Sequence, residues 1–299
     1  MTKGKLFEIL IKKVSMNVGF KEVTSDGLYV YDGAPGQMIQ GLGNVHNADV
    51  LLEPPVQTPF YALSRILVEC KNYEKPVNLN VLRSALGLRE DINNFNIVDT
   101  GVMNKRKSGI FAITDNIIRY NYQVAVASTN GFTKNAVEFA IVHRIPLIEL
   151  DKMPFWGDFD DLCENMGEDQ ECINCIEKMV ENFAVAITNT GQLLLLYGNN
   201  MDFDEYYTLT WDSVDSLWSL RTGGNSFVFE LPLKVKENWL SKSLNELELR
   251  ENAVNLKNNE FSHMVVYYKC NGISKIKMIS IDRNVLNRAL DKIKRESNK

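Results

Sequence analysis

The chain predicts an α/β domain followed by a smaller α+β domain, and three features of its 299 residues carry that expectation. Residues 65–73 (R-I-L-V-E-C-K-N-Y) hold a continuous run of strand formers, Ile66, Leu67 and Val68, of the kind buried on both faces of a sheet. Residues 122–150 read strand, capped helix, strand, which is the spacing of a βαβ unit. After about residue 183 the pattern changes to short alternating strands with hairpin signals, most clearly Asn271-Gly272.

Composition limits the function classes. At 45% hydrophobic and 24% charged residues this is an ordinary globular chain, with no apolar run approaching a membrane span. The first residues lead into an amphipathic helix and not into a signal-peptide core. Five cysteines without framework spacing fit a reducing compartment, so a cytoplasmic location is expected. The net charge of −5 argues against nonspecific nucleic-acid binding by the whole chain, but it is unevenly spread. Residues 1–150 carry 16 Lys/Arg and 14 Asp/Glu, and the remainder 17 and 24. A basic face on the first half is compatible with phosphate binding, although a solvated surface explains each charge as well.

Taken in order, residues 5–14 form a helix with Leu6, Ile9, Leu10 and Lys13 on one side. Glu8 is the odd acid near its start, a surface charge or a group reaching a site. Gly19-Phe20 ends the helix, and residues 21–24 are extended. The Gly-, Asp- and Pro-rich residues 25–43 read as a hairpin with a short strand at 29–31, then a loop. A strand follows at 47–52 with Asp49 at its entry, and Pro54-Pro55 ends it. The central strand spans 61–71, a helix 77–95 and a loop 96–110. Strand material lies within 111–127, then a helix capped by Thr133 and a strand at 146–150. Residues 156–180 are acidic and mainly helical. Further on, strands are expected at 184–188, 192–197, 206–211, 226–231, 264–269 and 274–281, with helices at 233–249 and 282–294.

The chemistry concentrates at the end of the central strand. Side chains two apart on a strand share a face, so Glu69 and Lys71 point together while Cys70 points into the opposite layer. If the strand carrying Asp49 pairs with it, two carboxylates and an ammonium converge into a minimal site for magnesium and water. The triplet alone equally fits an edge strand with an exposed Glu–Lys pair. Arg65, Lys75, Arg83 and Arg89 cluster nearby in sequence, and Thr133-Lys134 open a helix that can hold a backbone phosphate. Arg65, Lys75, Arg83, Thr133 and Lys134 are therefore the candidate phosphate contacts. Cys172 and Cys175, with Cys163 nearby, lack a second pair for a zinc site and read as core.

The run Val126-Ala127-Ser128-Thr129-Asn130-Gly131-Phe132-Thr133-Lys134-Asn135-Ala136-Val137-Glu138-Phe139-Ala140, closing on Arg144-Ile145-Pro146-Leu147-Ile148, resembles the end of the catalytic domain of Mrr-like restriction endonucleases. Phe7-Glu8, Gly19-Phe20, Asp49 and Glu69-Cys70-Lys71 follow in the family's order, so the resemblance covers about residues 5–150. It implies the PD-(D/E)xK nuclease fold, a central mixed sheet flanked by helices. It also implies Asp49 and Glu69 as ligands of Mg2+ (Mn2+ substituting), the Cys70 carbonyl as a further ligand, and Lys71 orienting the attacking water. Glu8 matches the helix acid that many members place near the metal. Two departures stand out: residues 43–48 lack the Gly-rich, Asp-containing lead into the first acid, and residues 53–59 lengthen the stretch between the acids.

The expectation is a nuclease domain at 1–152 and an accessory domain at 153–299, partner-binding or regulatory. The activity implied is Mg-dependent endonucleolytic hydrolysis of double-stranded DNA in restriction or antiviral defence, with a homodimer plausible and no membrane partner. The alternatives are a partner-triggered nuclease acting on RNA or DNA, and a catalytically inactive DNA- or protein-binding module.

Overall fold

The computed structural model describes residues 2–34, 36–57, 62–113, 118–164, 169–212, 215, 217–231 and 245–297. Tyr61 of the expected central strand and residues 233–244 of an expected helix lie outside them. The first half is built on a five-stranded mixed sheet in the order β1-β5-β6-β7-β8, made of Lys21–Glu22, Val50–Glu53, Leu63–Lys71, Tyr120–Ser128 and Leu147–Glu149. β1, β5 and β6 run antiparallel, while β6, β7 and β8 run parallel. A separate three-stranded antiparallel sheet is formed by β2 (Val30–Asp32), β3 (Gln37–Gln40) and β4 (Val45–Asn47), where one hairpin, a loop and, at Asn47, the start of the Asp49 strand were expected.

Both faces of the main sheet are buried, which explains the unbroken apolar runs in β5, β6 and β7. On one face Val50, Leu52, Val68, Ala125 and Ala127 pack against α1 (Lys3–Asn17). That helix starts at Thr2, whose hydroxyl accepts from the Lys5 amide at 3.3 Å, and it buries Leu6, Phe7, Leu10, Ile11 and Val14. On the other face Leu51, Leu67, Val124 and Val126 meet α2 (Leu79–Asn94) and α4 (Lys134–His143). Between α2 and β7 lies α3 (Thr100–Lys107), where a loop was expected. Its polar sequence buries only Val102, so it leaves no periodic apolar signal, yet Asp99 caps it by accepting from the Val102 amide.

The second half is a closed seven-stranded barrel in the order β10-β13-β12-β11-β15-β14-β9. Its strands are β9 (Phe183–Thr188), β10 (Leu193–Tyr197), β11 (Tyr206–Asp212), β12 (Leu217–Thr222), β13 (Asn225–Phe229), β14 (His263–Cys270) and β15 (Ile273–Ile281). All pairs are antiparallel except β11–β15, a parallel seam recorded at Tyr206–Ser280 and Tyr207–Ile281. Closure removes most strand edges. The expected hairpins at β9–β10 and β14–β15 are present, and Asn271 and Gly272 both take positive φ, as the tight turn between β14 and β15 requires. β12 was not foreseen. Helices α7 (Glu246–Phe261) and α8 (Arg283–Ser297) accompany the barrel, whose interior holds Trp218, Phe227, Phe229 and Met264.

Residues 153–164 and 169–182, the first of the expected second domain, pack around α1. Helices α5 (Trp156–Glu164) and α6 (Asp169–Met179) join one continuous core with Leu6, Phe7 and Leu10. Outward-facing barrel residues Phe183, Val185, Leu195 and Tyr267 belong to the same core, and Phe7 meets Trp156 edge-on at 6.2 Å. Phe7→Ala should therefore destabilise the whole chain by about 3–5 kcal/mol. Circular dichroism and tryptophan fluorescence should fall together on denaturation; an early transition confined to one half would contradict the shared core.

Candidate active site

The pairing of β5 with β6 sets the geometry. Val50 lies opposite Val68, Leu51 opposite Leu67 and Leu52 opposite Ile66. Extending that register by one residue puts Asp49 across from Glu69. Residues opposite each other on neighbouring strands project from the same face. Lys71, two residues on, shares it. The Lys71 ammonium lies 2.7 Å from Glu69 Oε2 and 3.5 Å from Asp49 Oδ2. The Cys70 amide donates to Asp49 Oδ2 at 2.9 Å, which fixes the first carboxylate against the strand that carries the second. All three charged side chains are largely sheltered, at 16–19% exposure.

Burial governs how these groups hold protons. It pushes the Glu69 carboxyl above its ordinary range more strongly than Lys71 draws it down, and the Asp49 charge pushes the same way. Burial works against the Lys71 ammonium too, but Glu69 and then Asp49 outweigh it and raise its pKa. Two acids thus share one cation, a hard-oxygen donor set with negative charge in excess. Such a donor set has the chemistry to hold a magnesium-type ion, for which the Asp49 and Glu69 oxygens would be the available side-chain donors. The Cys70 thiol points into the layer packed on α1, where burial drives its pKa well up, so it is no thiolate ligand.

Glu8 reaches this region from α1. It lines a cavity of about 430 Å³ together with Asp49, Lys5, Lys12 and Glu22, and it bonds the Lys5 ammonium at 2.6 Å. Glu8, Asp49 and Glu69 do not form a compact trio. Among the described residues the metal-ligating side chains that lie in a group of three within 4.8 Å are Glu149, Asp151 and Glu230. That group joins the end of β8 to the residue after β13, a sequence separation that hides it from any local motif. Its Glu230 also accepts from the Lys152 amide at 3.2 Å.

The expected DNA contacts divide. Lys75, Arg83 and Lys134 are exposed, and Thr133 is half-buried at the start of α4 without a side-chain capping bond. The loops after β6 and β7 are laced together at the end of the sheet that carries Lys71. Thr129 donates from its amide to the Lys71 carbonyl (3.1 Å), Val77 to the Gly131 carbonyl (2.9 Å) and Thr133 to the Val77 carbonyl (2.9 Å). Lys75 and Lys134 therefore belong to connections that meet at the same end of the sheet as Lys71.

Arg65 does not belong there. It shares the face of Glu69 and Lys71, but it sits six residues back along the strand, about 20 Å away. Its side chain is 5% exposed, bonded to Glu53 at 3.0 Å and to the Tyr122 hydroxyl at 3.0 Å, with Asp26 3.6 Å away and the Tyr120 ring 3.5 Å beneath it. A guanidinium so enclosed is a structural cation and not a phosphate contact. Of the sulfur candidates, Cys163 and Cys172 are core residues, whereas Cys175 is exposed.

No family model matches the chain, and no curated protein matches it. Among solved structures it is similar to the crystal structure of a protein of unknown function, AF1548, at 14% identity over 85% of this chain and 97% of that one. The TM-score is 0.30, too slight a likeness to bear on fold or activity. No helix among the described residues is long and apolar enough to cross a membrane.

Two outcomes follow from the charges. Arg65→Met leaves Glu53 and Asp26 without their buried partner and should cost roughly 3–5 kcal/mol in denaturant unfolding; a loss below 1 kcal/mol would mark the cluster as solvated. Because folding raises the Glu69 pKa, its contribution to stability is full below the ordinary value of 4.5 and is lost as pH rises through the folded value. Metal-free Glu69→Gln should therefore melt progressively higher relative to wild type as pH rises above about 4.5. A flat or falling difference would reverse that sign.

Proposed function

We propose that the first half of this chain is a metal-dependent DNA endonuclease of the PD-(D/E)xK type, hydrolysing phosphodiester bonds in restriction or another defence against foreign DNA. The observation that carries this reading is the convergence of Asp49, Glu69 and Lys71 from adjoining strands. The resemblance of residues 5–150 to Mrr-like enzymes adds the reaction class and the biological setting. The exposed Lys75 and Lys134 at the Lys71 end of the sheet supply a place for the flanking backbone phosphates.

In this reading Asp49 and Glu69, with the Cys70 carbonyl, hold the magnesium ion, which when bound supplies positive charge to the phosphate and acidifies a water. The protein's own groups do the rest. The Cys70 amide fixes one Asp49 oxygen, so that carboxylate need not reorganise when charge shifts. Lys71, kept protonated by both acids, presents a cation where negative charge grows on the phosphoryl oxygens. Burial of all three side chains keeps the local dielectric low, which strengthens each of these interactions. The second half is proposed as a partner-binding or regulatory element.

Supercoiled plasmid incubated with Mg2+ and wild-type protein, Glu69→Ala or Lys71→Ala decides the matter. Wild type should nick or linearise the DNA, Lys71→Ala should be slower by roughly 10²–10³-fold, and Glu69→Ala should be inactive. Equal activity in all three would remove this site from the reaction. Cleavage of single-stranded RNA in place of plasmid would redirect the substrate.

A further inference from the structure

Residues 41–46 lead into the strand that carries Asp49, and they are wound around one carboxylate. Asp91, on the last full turn of α2, accepts from the Gly43 amide at 2.8 Å, the Asn44 amide at 3.3 Å and His46 Nε2 at 2.7 Å. Its backbone carbonyl accepts from the Leu42 amide at 3.0 Å, and the Gly41 amide closes the loop on the Asn44 carbonyl at 2.8 Å. Gly41 is required by this approach: a Cβ there would lie 2.1 Å from Asp91 Oδ2 and 2.6 Å from the Asn44 carbonyl oxygen. A carboxylate only accepts, so His46 Nε2 carries a proton toward it. The His46 bond, ahead of the two amides, holds the Asp91 carboxyl below its usual range.

The last two of residues 41–46, Val45 and His46, already belong to β4, which ends at Asn47 and is followed by Ala48 and Asp49. Asp49 is therefore held from two directions. After it runs the ladder with β6, and before it stands β4, paired with β3 and preceded by the loop that is fastened to α2, a helix anchored on the sheet by Leu82, Ala85 and Ile92. His46 does not itself complete a group of three ligating side chains with Asp49 and Glu69. Its imidazole, three residues before Asp49 in the chain, is bonded to Asp91 instead.

We propose that Asp91 is a positioning residue for the acid pair: through residues 41–46 and the His46 imidazole it sets where the Asp49 carboxylate stands relative to Glu69. This rests on the reading of Asp49 and Glu69 as cation ligands. Groups that hydrogen-bond a metal ligand directly are worth about 10–100-fold in metal affinity, and the same scale is expected for one that holds the backbone leading to the ligand.

The test is calorimetric titration of Mn2+ into the full-length chain, with amide hydrogen exchange on the metal-free protein. Asp91→Ala should weaken Mn2+ binding by about 10–100-fold and accelerate exchange at residues 43–50. Gly41→Ala should do the same while leaving the carboxylate in place, and it serves if Asp91→Ala does not fold. Asp91→Asn, which keeps one oxygen and so can still accept either from the Gly43 amide or from the Asn44 amide and His46, should recover part of the affinity. Affinity within about twofold of wild type in both Asp91→Ala and Gly41→Ala overturns the proposal. If wild type binds no Mn2+, or binds it equally well as Asp49→Asn, the acid-pair reading fails instead. Exchange at residues 43–50 still decides Asp91's role in that case, and unchanged exchange in Asp91→Ala or Gly41→Ala sinks it.

Discussion

The pairing register between β5 and β6 is the constraint on which the acid centre depends. A slip of one residue would turn every side chain of one strand to the opposite layer. Here the slip is forbidden twice over, because Val50, Leu52 and Val68 must face α1 while Leu51 and Leu67 must face the layer of α2 and α4. With both apolar sets locked, the next residue along each strand has no freedom of direction. Asp49 and Glu69 face each other because their neighbours cannot face anywhere else. Two like charges are then held at a distance that neither would choose, and Lys71 makes the arrangement tolerable in the absence of any other cation.

Burial on both faces also explains the price in chemistry. Charged groups at the end of such a strand are poorly hydrated, so the Glu69 carboxyl is raised by its surroundings and the Lys71 ammonium is retained only by its two acids. The same logic at the other end of β6 gives a different result. Arg65 finds Glu53, Asp26 and a tyrosine hydroxyl around it and becomes a sealed structural cluster. One strand thus carries two ionic groups with opposite fates, one closed over by aromatic rings and one opening at a rim.

Much of the first half was legible because its signals are local. Alternation alone placed Glu69 with Lys71 and Cys70 in the opposite layer, and the apolar runs identified β6 and β7. Alternation gives a side chain's face but not its depth along the strand, which is why Arg65 looked like a phosphate contact. α3 was missed because a helix that buries one valine has no periodicity to read. In the second half the β9–β10 and β14–β15 hairpins announced themselves through their turns while β12 did not, and closure into a barrel depends on pairings such as β9–β14 and β11–β15 that join residues some 75 positions apart. Asp91 was invisible for the same reason: nothing near it in the chain reveals that a loop 45 residues earlier is wrapped around it.

The position of α1 has a consequence for how the chain can be divided. Its apolar stripe is completed on one side by the sheet and on the other by α5, α6 and the outer wall of the barrel. Neither half is a module that could be lifted out and grafted elsewhere, since severing the chain near residue 152 would strip the cover from Phe7 and its neighbours. A sequence that keeps the acid centre must also keep a matching barrel surface, so the two halves are bound to change together.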